Sequence, residues 1–334
     1  MKKIAIIGGG SWGTALALAL TRSSHPHRLA LWAHSADVVE MLRAKRVNEI
    51  YLPGFELPAE VEVTGALAEA LASANFVLGV MPSANAREVY RAMRPHIEPG
   101  AAFVSATKGL EPSTHARVSE VIAAEIAQNY ATRIVALSGP SFALEVARGD
   151  PTAVALASTD ESLAAEVQEE FSGPTFRLYT NDDVIGTEIA GAVKNVIAIA
   201  AGVCAGLGLG TNATAALVTR GLAEMTRLAV ALGGRRDTLA GLAGVGDLIL
   251  TSTGALSRNR SVGIELGKGR KLADILRATR RVAEGVGSAA ATLELARRVG
   301  VEMPITQQIH AVLAAGRAPQ DAIRELMERR LKQE

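Results

Sequence analysis

Residues 2–20 read KKIAIIGGGSWGTALALAL: an apolar run at Ile4, Ala5, Ile6 and Ile7, glycines at 8, 10 and 13, and then an apolar stretch without glycine from Thr14 onward. No other feature constrains the chain as strongly. A buried strand that feeds a helix through G-x-G-x-x-G needs each glycine for a separate reason. Gly8 allows the tight turn, Gly10 lets the backbone approach a pyrophosphate, and Gly13 lets helix and strand pack closely. Ser11 and Trp12 then stand in the first helical turn, where unpaired N–H groups and a partial positive charge face the phosphates. The same letters, Gly9 to Gly13, also satisfy G-x-S-x-G, the elbow that presents a serine nucleophile. Position argues against that chemistry, because an elbow needs strands and an oxyanion loop ahead of it and only ten residues precede Ser11.

The 334 residues, 49% hydrophobic and 21% charged, suffice for two domains with sizeable cores. A net charge of +1 gives no general attraction to nucleic acid or acidic membranes. The single cysteine, Cys204, cannot form an internal disulfide and has no metal-ligand spacing around it, which fits a reducing cytosol and a small core residue. No signal peptide is expected, since a strand begins at Ile4. The apolar stretch from Val196 to Gly210 is shorter than the roughly 20 residues a membrane helix needs, and reads as a buried core helix.

Strand and helix patterns alternate along the first half: IAIIG, a helix to Arg22, RLALWAH, a helix from Ala36 to Arg46, VEVT and FVLGV, then AAFVSAT, RIVALS, TAVALAS and TFRLYT. This is the grammar of an α/β fold with an N-terminal doubly wound, Rossmann-type parallel sheet carrying added strands. Residues 1–182 are assigned to it. From Asp183 the patterns are helical almost throughout, so residues 183–334 are expected to form an all-α substrate and catalytic domain.

A dinucleotide-binding second strand ordinarily ends in an acid that bonds the adenosine ribose. Here it ends Trp32-Ala33-His34-Ser35. No carboxylate repels a 2′-phosphate, and His34 or Ser35 is placed to contact one, so NADPH is favoured over NADH. Asp37 is better placed in the first turn of the next helix, with Ser35 as its N-cap.

Beyond this turn, four groups suit chemistry. Lys194, in EIAGAVKNVIAIAAG, shares a helix face with Ala190, Gly191, Ala198 and Ala201, whose small side chains leave room beside the ammonium. Such a lysine is either snorkelling or functional, and burial would lower its pKa. Lys108 follows the strand AAFVSAT at the carboxyl end, where doubly wound sheets place their ligands, though a solvated loop lysine would read the same. Asp247 follows Gly241, Gly244 and Gly246 at the opening of a helix, where N-capping alone would also explain it. Arg258 and Asn259, in SRNRSVG, offer a guanidinium fork and an amide suited to a phosphate monoester, although SRNR alone would also read as surface charge. The basic segment 268–281 reads as a solvated helix face.

Taken in order, GGGSWGTALA, VSATKGLE, SGPSFALEVARG, GAVKNVIAIAAG, GLAGVGDLILT, SRNRSVG and EGVGSA make the whole chain resemble the NAD(P)-dependent glycerol-3-phosphate dehydrogenases of the bacterial type. The resemblance implies reversible hydride transfer between NAD(P)H and dihydroxyacetone phosphate, giving sn-glycerol 3-phosphate for glycerophospholipid synthesis in a cytoplasmic enzyme, expected to be a homodimer. It implies that Lys194 gives and takes the proton, with Lys108 and Asp247 shaping the same site and no metal required. Gly139, Ser141, Ser257, Arg258 and Asn259 carry over as substrate contacts. Ser11, Trp12, His34, Lys108, Ala143, Arg258, Val282 and Glu284 carry over as cofactor contacts. His34 departs from the arginine that many relatives carry close by. A related hydroxyacid or sugar-phosphate dehydrogenase would keep the glycine turn and a helix lysine, and a non-catalytic NADPH sensor would bind cofactor without turnover. A UDP-sugar oxidising enzyme would need a nucleophilic cysteine, which Cys204, deep in an Ala/Gly run, does not offer.

Overall fold

The computed structural model describes residues 1–126, 133–278 and 283–330. Among the described residues, the first half contains ten strands: β1 (Lys2–Ile7), β2 (His27–Trp32), β3 (Val47–Asn48), β4 (Leu52–Glu56), β5 (Val61–Thr64), β6 (Phe76–Gly79), β7 (Ala102–Ser105), β8 (Arg133–Ser138), β9 (Thr152–Ala157) and β10 (Phe176–Asn181). Eight of them form one sheet in the order β10-β9-β8-β7-β6-β1-β2-β5. The apolar run of β1 is buried on both faces, as a central strand of a two-sided sheet must be. Ile4 and Ile6 face the helix Ser11–Leu20 with Leu16, Leu20, Phe76 and Phe171. Ala5 and Ile7 face the opposite layer, where Tyr90 and Phe103 meet the helices Ser83–Met93 and Val118–Ile126.

The sheet has the expected Rossmann-type parallel core, and its two added strands run in their own direction. The strands β8, β7, β6, β1, β2 and β5 are mutually parallel, but β9 runs antiparallel to β8 and β10 pairs parallel with β9, so the two added strands are reversed. The linker from Gly139 to Pro151 holds only the short helix Ala143–Arg148, and this packs on the helix Ser11–Leu20. The chain leaves β8 at its carboxyl end and re-enters β9 at that same end, with no crossover. The Gly139-Pro140-Ser141 loop therefore stays at the ligand-bearing edge.

The ribbon of β3 and β4 was not apparent in the residue pattern. It supplies Asn48, fully buried, whose Nδ2 donates to the Gly9 carbonyl at 3.0 Å and to Thr14 Oγ1 at 2.8 Å, bracing the glycine turn from below. Ser35 does occupy the N-cap of the helix Ala36–Lys45, but its hydroxyl makes no cap bond; the Asp37 carboxylate accepts from Val38 N–H at 3.0 Å instead.

The helical domain is organised around the helix Val184–Gly206, longer than the sequence pattern suggested. Its 23 residues are long and apolar enough to cross a membrane, yet 89% of its most apolar window is buried against neighbouring helices, which makes it a core helix. Asp183 starts it, accepting Gly186 N–H at 2.8 Å. The helices Thr211–Ala231, Asp247–Thr253, Arg258–Gly267 and Glu284–Arg298 pack around it. Its small residues permit backbone contact: a Cβ on Gly202 would lie 2.1 Å from the Arg260 carbonyl oxygen. Cys204 is buried in this helix.

Candidate active site

Lys108, Lys194 and Asp247 arrive from the carboxyl edge of the sheet, the long helix and a third helix, and meet at one point. Lys194 Nζ donates to Asp247 Oδ1 at 2.5 Å and to Thr251 Oγ1 at 2.8 Å. Lys108 Nζ donates to Asp247 Oδ2 at 2.7 Å and to the Gly139 carbonyl at 2.9 Å. Each carboxylate oxygen thus holds one ammonium. Asp247 opens the helix Asp247–Thr253 just beyond a wide turn, Leu242–Gly246, but its side chain makes no N-cap bond. N-capping does not explain it, and a solvated loop does not explain Lys108.

The electrostatics follow from burial and charge count. Lys194 is 5% exposed, and loss of hydration pulls its pKa down to about 8, with Lys108 adding to the fall and Asp247 opposing it. Burial alone would raise the Asp247 carboxyl, but Lys108 and Lys194 hold it below its usual value. Glu284, at the start of the helix Glu284–Arg298, is pushed up to about 7 by desolvation, which Lys194, Lys108 and Arg258 only partly offset. The cluster therefore carries an ammonium ready to lose its proton near neutral pH, beside a second cation.

Gly139 has φ +148°, and a Cβ there would come 2.9 Å from Val154 Cα, so only glycine turns this carbonyl toward Lys108. Ser141 Oγ donates to the same carbonyl at 2.9 Å. Ser257 is buried as the N-cap of the helix Arg258–Gly267, accepting Arg260 N–H at 3.2 Å. The Asn259 amide is buried too: it donates to Asn195 Oδ1 at 2.9 Å and accepts Gly285 N–H at 3.0 Å, tying three helices together. It is not surface polarity. Arg258 reaches across the two halves of the molecule and donates to Ser11 Oγ in the glycine turn. Val282 lies outside the described residues.

The turn itself fits a dinucleotide pyrophosphate. A Cβ on Gly8 (φ +140°) would fall 2.3 Å from the Val80 carbonyl oxygen and one on Gly13 1.8 Å from that of Gly8, whereas a Cβ on Gly10 would meet no atom within 4 Å. Gly8 and Gly13 serve packing, and Gly10 faces open space. The first helical turn carries no acidic residue, and the buried Trp12 indole N–H has no hydrogen-bond partner among the described residues. Ala143 starts the helix Ala143–Arg148. His34 is exposed just beyond β2, its ring tilted against Trp32 with centroids 5.9 Å apart. The basic residues that follow are engaged elsewhere: Arg43 donates to the Val63 carbonyl, Lys45 to Glu49, and Arg46 to the Leu57 and Val61 carbonyls.

Two contributors escaped the reading of the sequence. Thr251 stands four residues after Asp247, and that i, i+4 spacing on one helix was the available signal. Asn195, adjacent to Lys194, had no local signal, because its partner Asn259 is remote in the chain.

Comparison with known proteins shows the family. The family described as NAD-dependent glycerol-3-phosphate dehydrogenase matches through its N-terminal part at residues 3–164 and its C-terminal part at residues 183–324. A glycerol-3-phosphate dehydrogenase [NAD(P)+] of Koribacter versatilis is 57% identical over 98% of both chains. One from Geobacter sulfurreducens is 51% identical over 100% of this chain and 99% of its own. The crystal structure of the glycerol-3-phosphate dehydrogenase of Coxiella burnetii superposes with a TM-score of 0.93 at 42% identity, covering 98% of this chain and 99% of that one. The chain belongs to the NAD-dependent glycerol-3-phosphate dehydrogenase family.

Proposed function

We propose that this protein interconverts dihydroxyacetone phosphate and sn-glycerol 3-phosphate with NAD(P)H as hydride donor, NADPH preferred and NADH accepted. The observation that supports this most is the Lys108–Asp247–Lys194 cluster, with one lysine held near pKa 8, beside a phosphate-binding glycine turn. Bound nicotinamide supplies or accepts the hydride at the substrate carbon. As negative charge grows on the carbonyl oxygen, the Lys108 and Lys194 ammoniums stabilise it, and Lys194 delivers the proton that completes the alcohol. In the reverse direction neutral Lys194 takes that proton back. Asp247 orients both ammoniums and offsets their mutual repulsion. Arg258 offers the substrate phosphate a fork of parallel charge-assisted bonds, with Asn259, Ser257, Gly139 and Ser141 shaping the pocket around it. Gly8, Gly10, Ser11, Trp12 and Gly13 hold the pyrophosphate, while His34, Lys108, Ala143, Val282 and Glu284 complete the cofactor site.

We assign the cofactor domain to residues 1–182 and the substrate domain to residues 183–334. We further assign the enzyme to the cytoplasm, where its product feeds glycerophospholipid synthesis, and to a homodimer. The test is the loss of reduced-nicotinamide absorbance with NADPH and dihydroxyacetone phosphate. Turnover with this ketone, and much slower turnover with its unphosphorylated analogue, is expected. Cofactor binding without turnover of any ketone would make the protein a sensor instead.

A further inference from the structure

Behind the lysine cluster, where β7, β8 and the long helix converge, lies a small cavity lined by Ser105, Lys108, Ser138, Thr187, Glu188 and Gly191, among others. Its space for a water-sized sphere is about 10 Å³, close to the minimum that holds one water molecule. The hydroxyls of Ser105, Ser138 and Thr187 are all buried and have no hydrogen-bond partner among the described residues. Buried polar groups are ordinarily paired, so three unpaired hydroxyls around one cavity call for a shared partner. The Glu188 carboxylate is already engaged by Ser119 N–H at 2.8 Å and Arg117 Nη1 at 3.0 Å.

We propose that one structural water, hydrogen-bonded to Ser105, Ser138 and Thr187, fills this cavity, and that these hydroxyls are positioning residues for the two site lysines. Water is the ligand whose chemistry fits. It needs two to four polar partners, and each hydroxyl both donates and accepts. A phosphate or carboxylate is too large for the space, and three neutral hydroxyls beside a lysine stem do not hold a cation. The three oxygens also belong to the segments that build the site. Ser105 ends β7 just ahead of Lys108, Ser138 immediately precedes Gly139, whose carbonyl receives Lys108, and Thr187 shares a helix face with Gly191 and Lys194. Gly191 keeps the space clear: a Cβ there would lie 2.8 Å from Ser138 Oγ and 3.8 Å from Lys108 Cγ. The water thus fastens both lysines and the Gly139 carbonyl to one frame.

The positioning role rests on the proposed duties of Lys108 and Lys194; the water itself does not. Two measurements therefore separate the failures. A high-resolution crystal structure of the full chain should show one ordered water within hydrogen-bond distance of all three hydroxyls. A dry cavity, with the hydroxyls bonded to protein, overturns the proposal. Thr187→Val keeps the side-chain shape and removes the hydroxyl, and with Ser138→Ala should expel the water. We expect kcat for dihydroxyacetone phosphate to fall about tenfold, the pH at which activity declines to move, and KM for NADPH to hold, since small misplacements of reacting groups are costly. Thr187→Ser should behave as wild type. If Thr187→Val alone or the double variant loses the water yet keeps both kcat and pH profile, the hydroxyls have no positioning role.

Discussion

The glycine turn and the lysine–aspartate cluster face the same space but are built on opposite principles. The turn works by removing atoms. What its glycines contribute is shape: no Cβ fits at Gly13, and none is obstructed at Gly10. The cluster works by adding charge where it is expensive. Lys194 and Asp247 are fully engaged with each other inside the helical domain, 53 residues apart in sequence, and Lys108 joins from 139 residues away. Local shape and long-range charge thus share one reaction, and substitutions should affect the two through different observables.

The largest effect is expected at the cluster. Lys194→Met should lower kcat by roughly 10²-fold or more, the scale of a lost general acid, while NADPH still binds by fluorescence titration. Near-normal turnover in a folded variant removes Lys194 from the mechanism. The turn should fail in the complementary way. Gly13→Ala drives a methyl into the Gly8 carbonyl and should cost about 1–3 kcal/mol in thermal unfolding, whereas Gly10→Ala should stay within about 1 kcal/mol and still raise KM for NADPH. Equal stability losses at both glycines would mean that packing, and not phosphate approach, explains Gly10.

Two smaller effects sharpen the boundary between the regions, because Arg258 touches both. Arg258→Lys keeps the charge and loses the fork, so kcat/KM for dihydroxyacetone phosphate should fall at least tenfold, about 1.4 kcal/mol, with a much smaller loss for dihydroxyacetone. Equal losses for both ketones would assign Arg258 to the cofactor alone. At the far end of the cofactor site, His34→Asp installs a carboxylate that opposes a 2′-phosphate and still accepts a ribose hydroxyl. KM should rise several-fold for NADPH and little for NADH. With Arg43, Lys45 and Arg46 committed to other partners, an unchanged ratio would place discrimination on backbone or on other residues around Ser35.

The same contrast decides what could be read without coordinates. The glycine turn, the central strands and the onset of the helical domain carry period and spacing within about 20 residues, and these were legible. The reversal of β9 was not, because strand direction depends on whether the linker crosses the sheet, and Gly139 to Pro151 has the letters of either path. The β3–β4 ribbon was also hidden; its strands are short, with Pro53 and Gly54 inside the second. Lys108, Lys194 and Asp247 were each visible as suspicious residues, but each had an ordinary explanation in its own segment. Only their convergence removes those explanations, and convergence is a property of the tertiary fold. Resemblance to a family supplied that pairing in advance, whereas Asn48 and Thr251 needed the structure.

The central claim is that a lysine held near pKa 8 carries the proton, and the pH dependence of kcat/KM in both directions tests it most directly. Ketone reduction needs protonated Lys194, so its kcat/KM should fall as pH rises through about 8. Alcohol oxidation needs the neutral amine, so its kcat/KM should rise through the same range, and both limbs should vanish in Lys194→Met. Profiles that move in the same direction, or limbs that persist in the variant, would contradict the assignment.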